Sequence, residues 1–458
     1  MSRPNVLSTS PVVPAVSPLL LPTVLTGVFI TILDFFIVNV AIPTIHADLR
    51  AGPAAIEWIV AGYGLAYGCG LVLGGRLGDV FGRRRVYATG LALFTAASLA
   101  CGLAGSPGAL ITARIAQGLA AALLAPQVLA VIRTAYAGAR QAAAIGRYAL
   151  TAGIAAVLGQ LVGGVLIEAT GDWRACFLIN VPVGIAAFAL TLRHVPESRA
   201  SAGVRLDLGG AGLITLGLAA LLLPLIEGRE RGWPAWTWVS LGAAVALLLA
   251  YARRSHPHPL IAPAVFRERA VTVGLVAQLT FTMTMAAYFL IFALWAQQGR
   301  GLDALEAGLL FTPIGVGYVA ASLRAPWFTA RFGRQTIALG GLTRAAALLL
   351  LLALVAAGAP LGALAPVLAV DGFGMGLAFA PIVGTVLARV APQHAGQVAG
   401  VLTTTQQVGG ALGVGIIGVV YFQALDSGPA HAFEHGLLYL VPVSLLLAAV
   451  VQLLPGKR

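Results

Sequence analysis

Long apolar runs recur along the whole chain, and they decide which folds are open to it. Fourteen runs of about twenty residues begin near residues 22, 57, 86, 108, 142, 175, 208, 236, 270, 306, 336, 363, 397 and 436. A helix of this length crosses a bilayer, whereas an open strand would leave its backbone unsatisfied in lipid. Apolar residues make up 59% of the chain and charged residues 10%. This is more apolar surface than a soluble protein could bury. We therefore predict an all-α membrane protein.

Two of the runs are shortened by polar residues. They lie between residues 205 and 254, where Pro224 and the charged residues between Glu227 and Arg231 crowd one end. With this pair the prediction is fourteen spans, and without it twelve.

The distribution of basic residues predicts the orientation. With the amino terminus inside, most of the 28 Lys and Arg residues fall in cytoplasmic segments. The exceptions are Arg50, Arg174, Arg229, Arg231 and Arg300 outside, and Arg114 and Arg344 within spans. The positive-inside rule then places both termini in the cytoplasm and requires an even number of spans. The net charge of +12 thus belongs to the cytoplasmic loops, and we expect no nucleic-acid partner.

An internal repeat predicts the domain organisation. Ala330–Gln335 echoes Asp79–Arg84 at an offset of 251 residues, and each segment follows the second run of its half. We expect two six-helix bundles in a pseudo-two-fold arrangement, over residues 22–195 and 268–455, as in transporters built from parallel repeats. Residues 205–254 would form two additional linker helices. Residues 1–21 would form a disordered cytoplasmic tail.

The hairpin Gly74–Arg85 is predicted to control conformational change. Small residues let membrane helices approach closely, and Asp79 can interact with a helix terminus or with the arginines that follow it. The candidate gating residues are Gly75, Gly78, Asp79, Gly82, Arg83 and Arg84. Alternatively, the arginines serve only as topology anchors.

Glycines in the fifth run are a second gating candidate. Gly153, Gly159, Gly163 and Gly164 are expected to form a narrow stripe that permits tight packing and a bend between states. Ordinary helix packing would explain the same glycines without gating.

Two ionisable residues predict a proton-coupling site. Asp34 lies in the first run and Arg114 in the fourth, at nearly the same depth in the outer half of the membrane. Burial favours the protonated carboxyl, while a neighbouring guanidinium favours the ionised form. A conformational change that alters their separation would therefore take up or release a proton. The alternative is a static salt bridge between the first and fourth helices.

A third membrane residue, Asp371, is another coupling candidate. It could be a second proton site, a counter-charge for a basic substrate, or an inert acid near the outer mouth. Counting residues from the helix ends places Arg344 nearer the cytoplasm, so we do not expect the two to pair.

Polar and aromatic residues in the first, fifth, ninth and thirteenth runs predict a substrate cavity between the halves. Adaptable methionine and aromatic faces suit flat hydrophobic compounds. The candidate substrate-binding residues are Phe35, Asn39, Gln160, Gln278, Phe281, Met285, Tyr288, Phe289, Thr404 and Gln407. For each of them, helix packing is an equally good explanation.

Enzyme chemistry has no support in the sequence. There is no phosphate-binding loop of the Gly-Lys-Ser/Thr kind and no cluster of metal ligands, and Cys69, Cys101 and Cys176 lie singly in apolar runs. We expect no cofactor and no metal, with energy supplied by the proton motive force. One proton crossing about 100 mV supplies about 2.3 kcal/mol. The expected partners are the lipid bilayer, protons and a hydrophobic small molecule, and the protein is predicted to be a monomer.

Five motifs stand in order along residues 33–184. They are Leu33–Pro43, the hairpin Gly74–Arg85, Arg114–Gly118, Gly153–Gly164, and Trp173–Arg174 followed by Asn180–Gly184. Together they resemble the signatures of the major facilitator superfamily, and specifically of its fourteen-helix drug:proton antiporter group.

The resemblance implies a function. It implies alternating-access, proton-coupled efflux of hydrophobic small molecules, such as antibiotics or secondary metabolites, with the fifth helix limiting proton leak. The Ala-, Gly- and Arg-rich, almost lysine-free composition is similar to that of high-GC bacteria, so we expect the bacterial cytoplasmic membrane. The alternative is an uptake or facilitated carrier for a small organic solute, without proton antiport.

Overall fold

Helices account for the regular structure of the described chain. The computed structural model describes residues 17–199, 207–228, 231–254, 264–390 and 395–454, and these residues form no strand. The all-helical prediction is confirmed. Most of the predicted amino-terminal tail, residues 1–16, lies outside the described residues.

Fourteen helices longer than a single turn follow one another in the described ranges, and a short turn, Ala264–Arg267, precedes the ninth. They are α1 Leu20–Leu49, α2 Pro53–Phe81, α3 Arg83–Gly102, α4 Pro107–Ala135, α5 Gly138–Thr170, α6 Ala175–Leu178 continued by Asn180–His194, α7 Leu208–Glu227, α8 Ala235–Arg253, α9 Arg269–Leu294 continued by the π-helical turn Trp295–Gly299, α10 Ala304–Leu310 continued by Thr312–Phe332, α11 Gln335–Ala356, α12 Leu361–Ala388, α13 Ala395–Ala424 and α14 Pro429–Val450.

Twelve of these helices are long and apolar enough to cross a membrane. The other two are α3, which begins with three arginines, and α7, whose apolar stretch Gly209–Leu225 is shorter. Each predicted run coincides with a helix. The largest difference is in α14, predicted near residue 436, which begins at Pro429. The first turns of α14 are polar, with His431 and Glu434, so the apolar run does not mark where the helix begins. Its start is determined by Gly428 (φ 108°) and by Pro429 in the first turn.

The same pattern of helix contacts occurs twice. In the first half, α2 and α3 both pack on α4, α1 packs on α5, and α3 packs on α6. In the second half, α10 and α11 pack on α12, α9 packs on α13, and α11 packs on α14. Helices α7 and α8 pair with each other, and α7 also lies against α2 and α13. The chain therefore folds as two similar six-helix groups with a helix pair beside them.

The two halves meet along two seams. In one seam, α13 lies against α2 and α4; in the other, α5 lies against α10 and α12. Tyr318 of α10 donates a hydrogen bond to the Ala149 carbonyl of α5 (2.7 Å). At the end of α4, Arg133 donates to the carbonyl of Val390, just beyond α12. The halves are thus in contact near the middle of the helices and at this end.

A polar cluster ties together the ends of three segments outside the apolar core. Asp48, beyond the first apolar stretch, accepts hydrogen bonds from the Trp173 indole nitrogen (3.0 Å) and from Arg174 (2.8 Å). These two donors lower the pKa of the Asp48 carboxyl below its usual 3.8. Arg174 also donates to the Ala104 carbonyl (3.1 Å). The start of α6 is therefore fixed to the end of α1 and to the loop before α4.

Close contact between α2 and α4 depends on residues without side chains. A Cβ atom on Gly74 would collide with the carbonyl of Ala122, and one on Gly118 with the carbonyl of Tyr63. Both obstacles are backbone atoms, which cannot move aside without separating the helices. This contact holds α4, and with it Arg114, against the rest of the first half.

We predict that Gly118→Ala lowers the thermal stability of the purified protein. Overpacking of this kind destabilises by about 1–3 kcal/mol. The control is Gly146→Ala in α5, where a Cβ would meet nothing within 4 Å and alanine favours the helix by up to about 1 kcal/mol. Thermal unfolding in detergent should separate the two variants. Equal stability of both would contradict the proposed helix contact.

Candidate functional site

The Asp34 carboxylate lies at the centre of a buried polar cluster in the first half. Its side chain is fully buried, yet three donors reach it. Arg114 approaches one oxygen at 2.5 Å, while Gln117 (2.9 Å) and Asn180 (2.8 Å) donate to the other. The predicted proximity of Asp34 and Arg114 is confirmed. The cluster joins α1 to α4 and α6.

Arg114 is held by further contacts, so its guanidinium is fixed in place. Its Nε donates to the Ile59 carbonyl (3.1 Å) and its Nη1 to Gln117 (2.7 Å). The guanidinium lies 4.3 Å from the centre of the Tyr63 ring, where cation–π attraction adds to the ion pair. A buried charge is tolerated only when it is paired and hydrogen-bonded in this way.

Gln117 and Asn180 were not predicted as site residues. Both stand inside the quoted motifs, as single polar residues in apolar runs. Gln117 lies one turn from Arg114, so helical spacing could have placed it on the same face. Asn180 could not be found this way, since it comes from another helix and its amide also donates to Ser98 (3.1 Å).

Asp371 and Arg344 form a second buried pair, in the other half. Arg344 Nε lies 3.4 Å from an Asp371 carboxylate oxygen, so the prediction that they would not pair is wrong. That prediction estimated the depth of each residue in the membrane from its distance to the helix end. The relative position of the two side chains is instead determined by the close contact between α11 and α12. A Cβ on Gly374 would lie 2.8 Å from the Gly340 carbonyl and 3.0 Å from the Arg344 nitrogen. These glycines bring Arg344 within reach of Asp371.

The two acids differ in how they are satisfied. Arg344 donates to both the hydroxyl (3.0 Å) and the carbonyl (3.1 Å) of Thr284. Within the described ranges, neither oxygen of Asp371 accepts a hydrogen bond, although the residue is buried. Its charge is therefore offset by Coulomb attraction to Arg344 without the hydrogen bonds that Asp34 has. The role of Asp371 in coupling remains a prediction.

The hairpin between α2 and α3 is closed by ion pairs and caps. Asp79 pairs with Arg83 at 3.0 Å, and both side chains are buried. Glu197, beyond α6, accepts from the Arg84 backbone nitrogen (3.1 Å), and the Arg83 nitrogen donates to the Ser198 carbonyl (2.9 Å). Thus the segment after α6 caps the start of α3. Glu197 was not predicted, because nothing in the sequence links it to the hairpin.

The glycines of this hairpin are required by geometry. Gly82 has φ 106°, a backbone conformation that other residues rarely adopt. A Cβ on Gly78 would collide with the Gln127 side chain, which donates to the Gly74 carbonyl (2.7 Å). The hairpin is therefore held against α4. Its control of conformational change remains a prediction.

The α5 glycines do not form one stripe. Gly159 and Gly163 face Phe36 and Ile37 of α1, whereas Gly153 faces the ring of Tyr318 across the seam with α10. Six residues of helix separate Gly153 from Gly159, which rotates it by about 120°. The predicted stripe is therefore wrong for Gly153, which contacts the other half. Gly164 is buried in α5.

Two of the predicted substrate residues, Phe281 and Phe289, take part in aromatic contacts at the boundary between the halves. Phe281 lies 5.6 Å from Phe379, whose ring is nearly parallel to that of Tyr148 in the other half (6.4 Å, 17°). We call these three residues the Phe379 cluster. Phe289 contacts Phe36 across the halves at 5.7 Å. Tyr148 and Phe379 were not predicted, since single aromatic residues in apolar runs carry no distinguishing signal.

The remaining candidates are dispersed. Tyr288 is buried beside Arg344 and Phe289, and Phe35 lies beside Tyr63. Gln160 is buried where its backbone meets Gly308 of α10. Asn39 and Met285 are half-buried, Gln407 lies beside Gly68 of α2, and Thr404 lines a lateral cleft. The structure thus brings together only part of the predicted set.

Gln278 is the most unusual of these residues. It is fully buried on α9, one turn before Phe281, and within the described part of the chain neither polar atom of its amide has a hydrogen-bond partner. A buried, unsatisfied amide is costly. Such a residue is a candidate for contact with a ligand.

Comparison with known proteins identifies the family. The family model described as Major Facilitator Superfamily matches residues 24–414. The chain belongs to the major facilitator superfamily. Among solved structures, this transporter is similar to the human organic anion transporter MFSD10, with a TM-score of 0.67 over 94% of this chain and 99% of that one. Sequence identity is 17%, so this likeness concerns the fold alone.

Curated relatives of this superfamily member include exporters. It is 36% identical to the "Probable actinorhodin transporter" of Streptomyces coelicolor, over 91% of this chain and 74% of the relative. It is 35% identical to the "Cephamycin export protein CmcT" of Amycolatopsis lactamdurans, over 94% of this chain and 90% of the relative. The protein is thus a multi-pass membrane transporter, not an enzyme.

We predict that Gln278→Leu in this transporter raises stability and weakens substrate binding. Removal of an unsatisfied buried amide should stabilise the protein by about 1 kcal/mol or more, while the loss of a ligand hydrogen bond should raise the KM for export several-fold. Unfolding in detergent and export kinetics in vesicles give the two values. A variant that is less stable, with unchanged KM, would show that Gln278 serves packing only.

Proposed function

We propose that this transporter exports hydrophobic small molecules in exchange for protons, across a bacterial cytoplasmic membrane. Its relatives named for export and resistance support this direction of transport. The observation that carries the proposal is the buried cluster around Asp34, where an ionisable carboxyl contacts Arg114, Gln117 and Asn180. Antibiotics and secondary metabolites are the proposed substrates.

The cluster offers a mechanism for coupling. An isolated charge near the membrane centre costs on the order of 2.5–3.5 kcal/mol. The three donors offset this cost for Asp34, so the ionised carboxylate is favoured while they are in place. These donors come from α4 and α6, whereas Asp34 is on α1. Relative movement of these helices would remove donors and favour protonation. Alternating access then links that protonation to release of the substrate.

The proposed topology has fourteen spans, with both termini in the cytoplasm. It adds α3 and α7 to the twelve helices that meet the length and hydropathy for spanning. An even number of spans is consistent with the bias of the basic residues. We assign the protein on this basis to the fourteen-helix drug:proton antiporter group, acting as a monomer and driven by the proton motive force without a cofactor.

The proposed substrate site lies between the halves, at the Phe379 cluster and Gln278. Tyr148 belongs to the first half, whereas Phe281, Phe379 and Gln278 belong to the second. Aromatic faces suit flat apolar molecules, and a buried amide provides one directional contact. Because the residues come from both halves, movement of the halves would open and close this site.

The experiment is Asp34→Asn in everted membrane vesicles, with a fluorescent dye substrate added to the medium, so that export appears as dye uptake into the vesicles. We predict at least about a tenfold loss of gradient-driven dye transport, corresponding to about 1.4 kcal/mol, with substantial downhill counterflow remaining. Asn keeps the shape of Asp and can hydrogen-bond, but it cannot take up the coupling proton. Asp426→Asn, an exposed acid, is the matched control and should behave as wild type.

Two results would overturn the proposal. Full gradient-driven transport by Asp34→Asn would show that this carboxyl is not the coupling group. Wild-type transport that persists after collapse of the proton gradient, with no proton movement upon addition of dye, would indicate a facilitated carrier.

A further inference from the structure

A cleft of about 540 Å³ lies beside the linker helices, and none of its lining residues belongs to the proposed substrate site. Its walls come from α2, α7, α8, α9 and α13, so it touches both six-helix groups and the pair between them. The five walls are lined by Val72, Leu218, Leu248, Leu275 and Thr404, in that order of helices, and Arg254 lies just beyond the end of α8. Its volume is in the range of ligand sites in proteins.

The cleft is apolar along its length and borders the membrane. Val276 in its wall is 44% exposed, and α8 beside it presents Val245 outward. Along α13 the lining runs from Val401 to Val408, a helical rise of about 10 Å. An apolar slot of this shape, open on its lipid side, fits a hydrocarbon chain.

One end of the cleft is strongly basic. Arg254 is a lining residue there. Exposed Arg253 ends α8, exposed Arg269 begins α9, and exposed Arg267 lies in the helical turn Ala264–Arg267 just before α9. The acids described at this end are Glu268 and Asp207, and Asp207 is buried against Arg254 at 3.2 Å. The excess of guanidinium groups is complementary to an anionic headgroup.

The wall also contains a polar atom suited to a ligand. Thr404 is only 8% exposed, and its hydroxyl has no hydrogen-bond partner among the described residues. An oxygen acceptor inside the cleft would satisfy this donor. Thr404 thus distinguishes the cleft from a simple packing gap.

We propose that the cleft binds an anionic phospholipid, with one acyl chain in the slot and its phosphate at the arginine end. The lipid would contact α2 of the first half and α9 and α13 of the second, at one seam between them. This site includes neither Asp34 nor the Phe379 cluster. It does include Thr404, which the sequence offered as a substrate contact and which we assign here to the lipid.

The test uses the full-length protein, purified from bilayers that mix phosphatidylglycerol and phosphatidylcholine. Native mass spectrometry after delipidation should show wild type retaining phosphatidylglycerol in preference to phosphatidylcholine. Val276→Trp fills the slot and should reduce the retained lipid about tenfold. Val245→Trp is the matched control, since Val245 is exposed on α8 outside the cleft, and should retain lipid as wild type does.

A second variant tests the headgroup. Arg253→Gln combined with Arg267→Gln should abolish the preference for phosphatidylglycerol while the acyl slot is unchanged. Unchanged retention by Val276→Trp, or an unchanged preference in the arginine variant, would overturn the proposal. Because the readout is bound lipid, failure of proton-coupled export would leave this result intact, and loss of lipid binding would leave the export proposal intact.

Discussion

The contact between Asp34 and Arg114 is the constraint on which the first half depends. Two opposite charges buried away from water require each other, and Gln117 and Asn180 supply the hydrogen bonds that make the pair tolerable. Three helices are joined at one point as a result. In the second half, Arg344 donates two hydrogen bonds to Thr284, while its contact with Asp371 is an ion pair without a hydrogen bond. The two similar halves therefore carry unlike ionic clusters.

Close helix contact is what gives these ionic clusters their geometry. Gly118 and Gly74 bring α4 against α2, and Gly340 and Gly374 bring α12 against α11. In a membrane, such contacts gain little from the hydrophobic effect and depend on packing at short range. Gly153 differs, because it meets Tyr318 of the opposite half. Glycines therefore serve both the contacts within halves and the seams between them.

Much of the fold could be predicted from the sequence, since run length and lipid chemistry leave few alternatives for an apolar chain. The pair Asp34 and Arg114 could be predicted because both residues are rare in spans and share a depth. Depth counting failed for Arg344 and Asp371, where a long side chain and close helices bridge the difference. Asn180 and Glu197 could not be predicted, since their partners lie on distant segments that only the tertiary fold brings together.

The most direct test of the coupling account is the proton balance of substrate binding. Purified wild-type protein in weakly buffered detergent, with a pH indicator present, would be mixed with a fluorescent dye substrate. When the protein starts from a pH at which Asp34 is protonated, the account predicts that dye binding to wild type releases a proton, and that Asp34→Asn binds dye without releasing one. Equal proton release by both proteins, or dye binding by wild type without any release, would contradict the assignment of Asp34 as the coupling group.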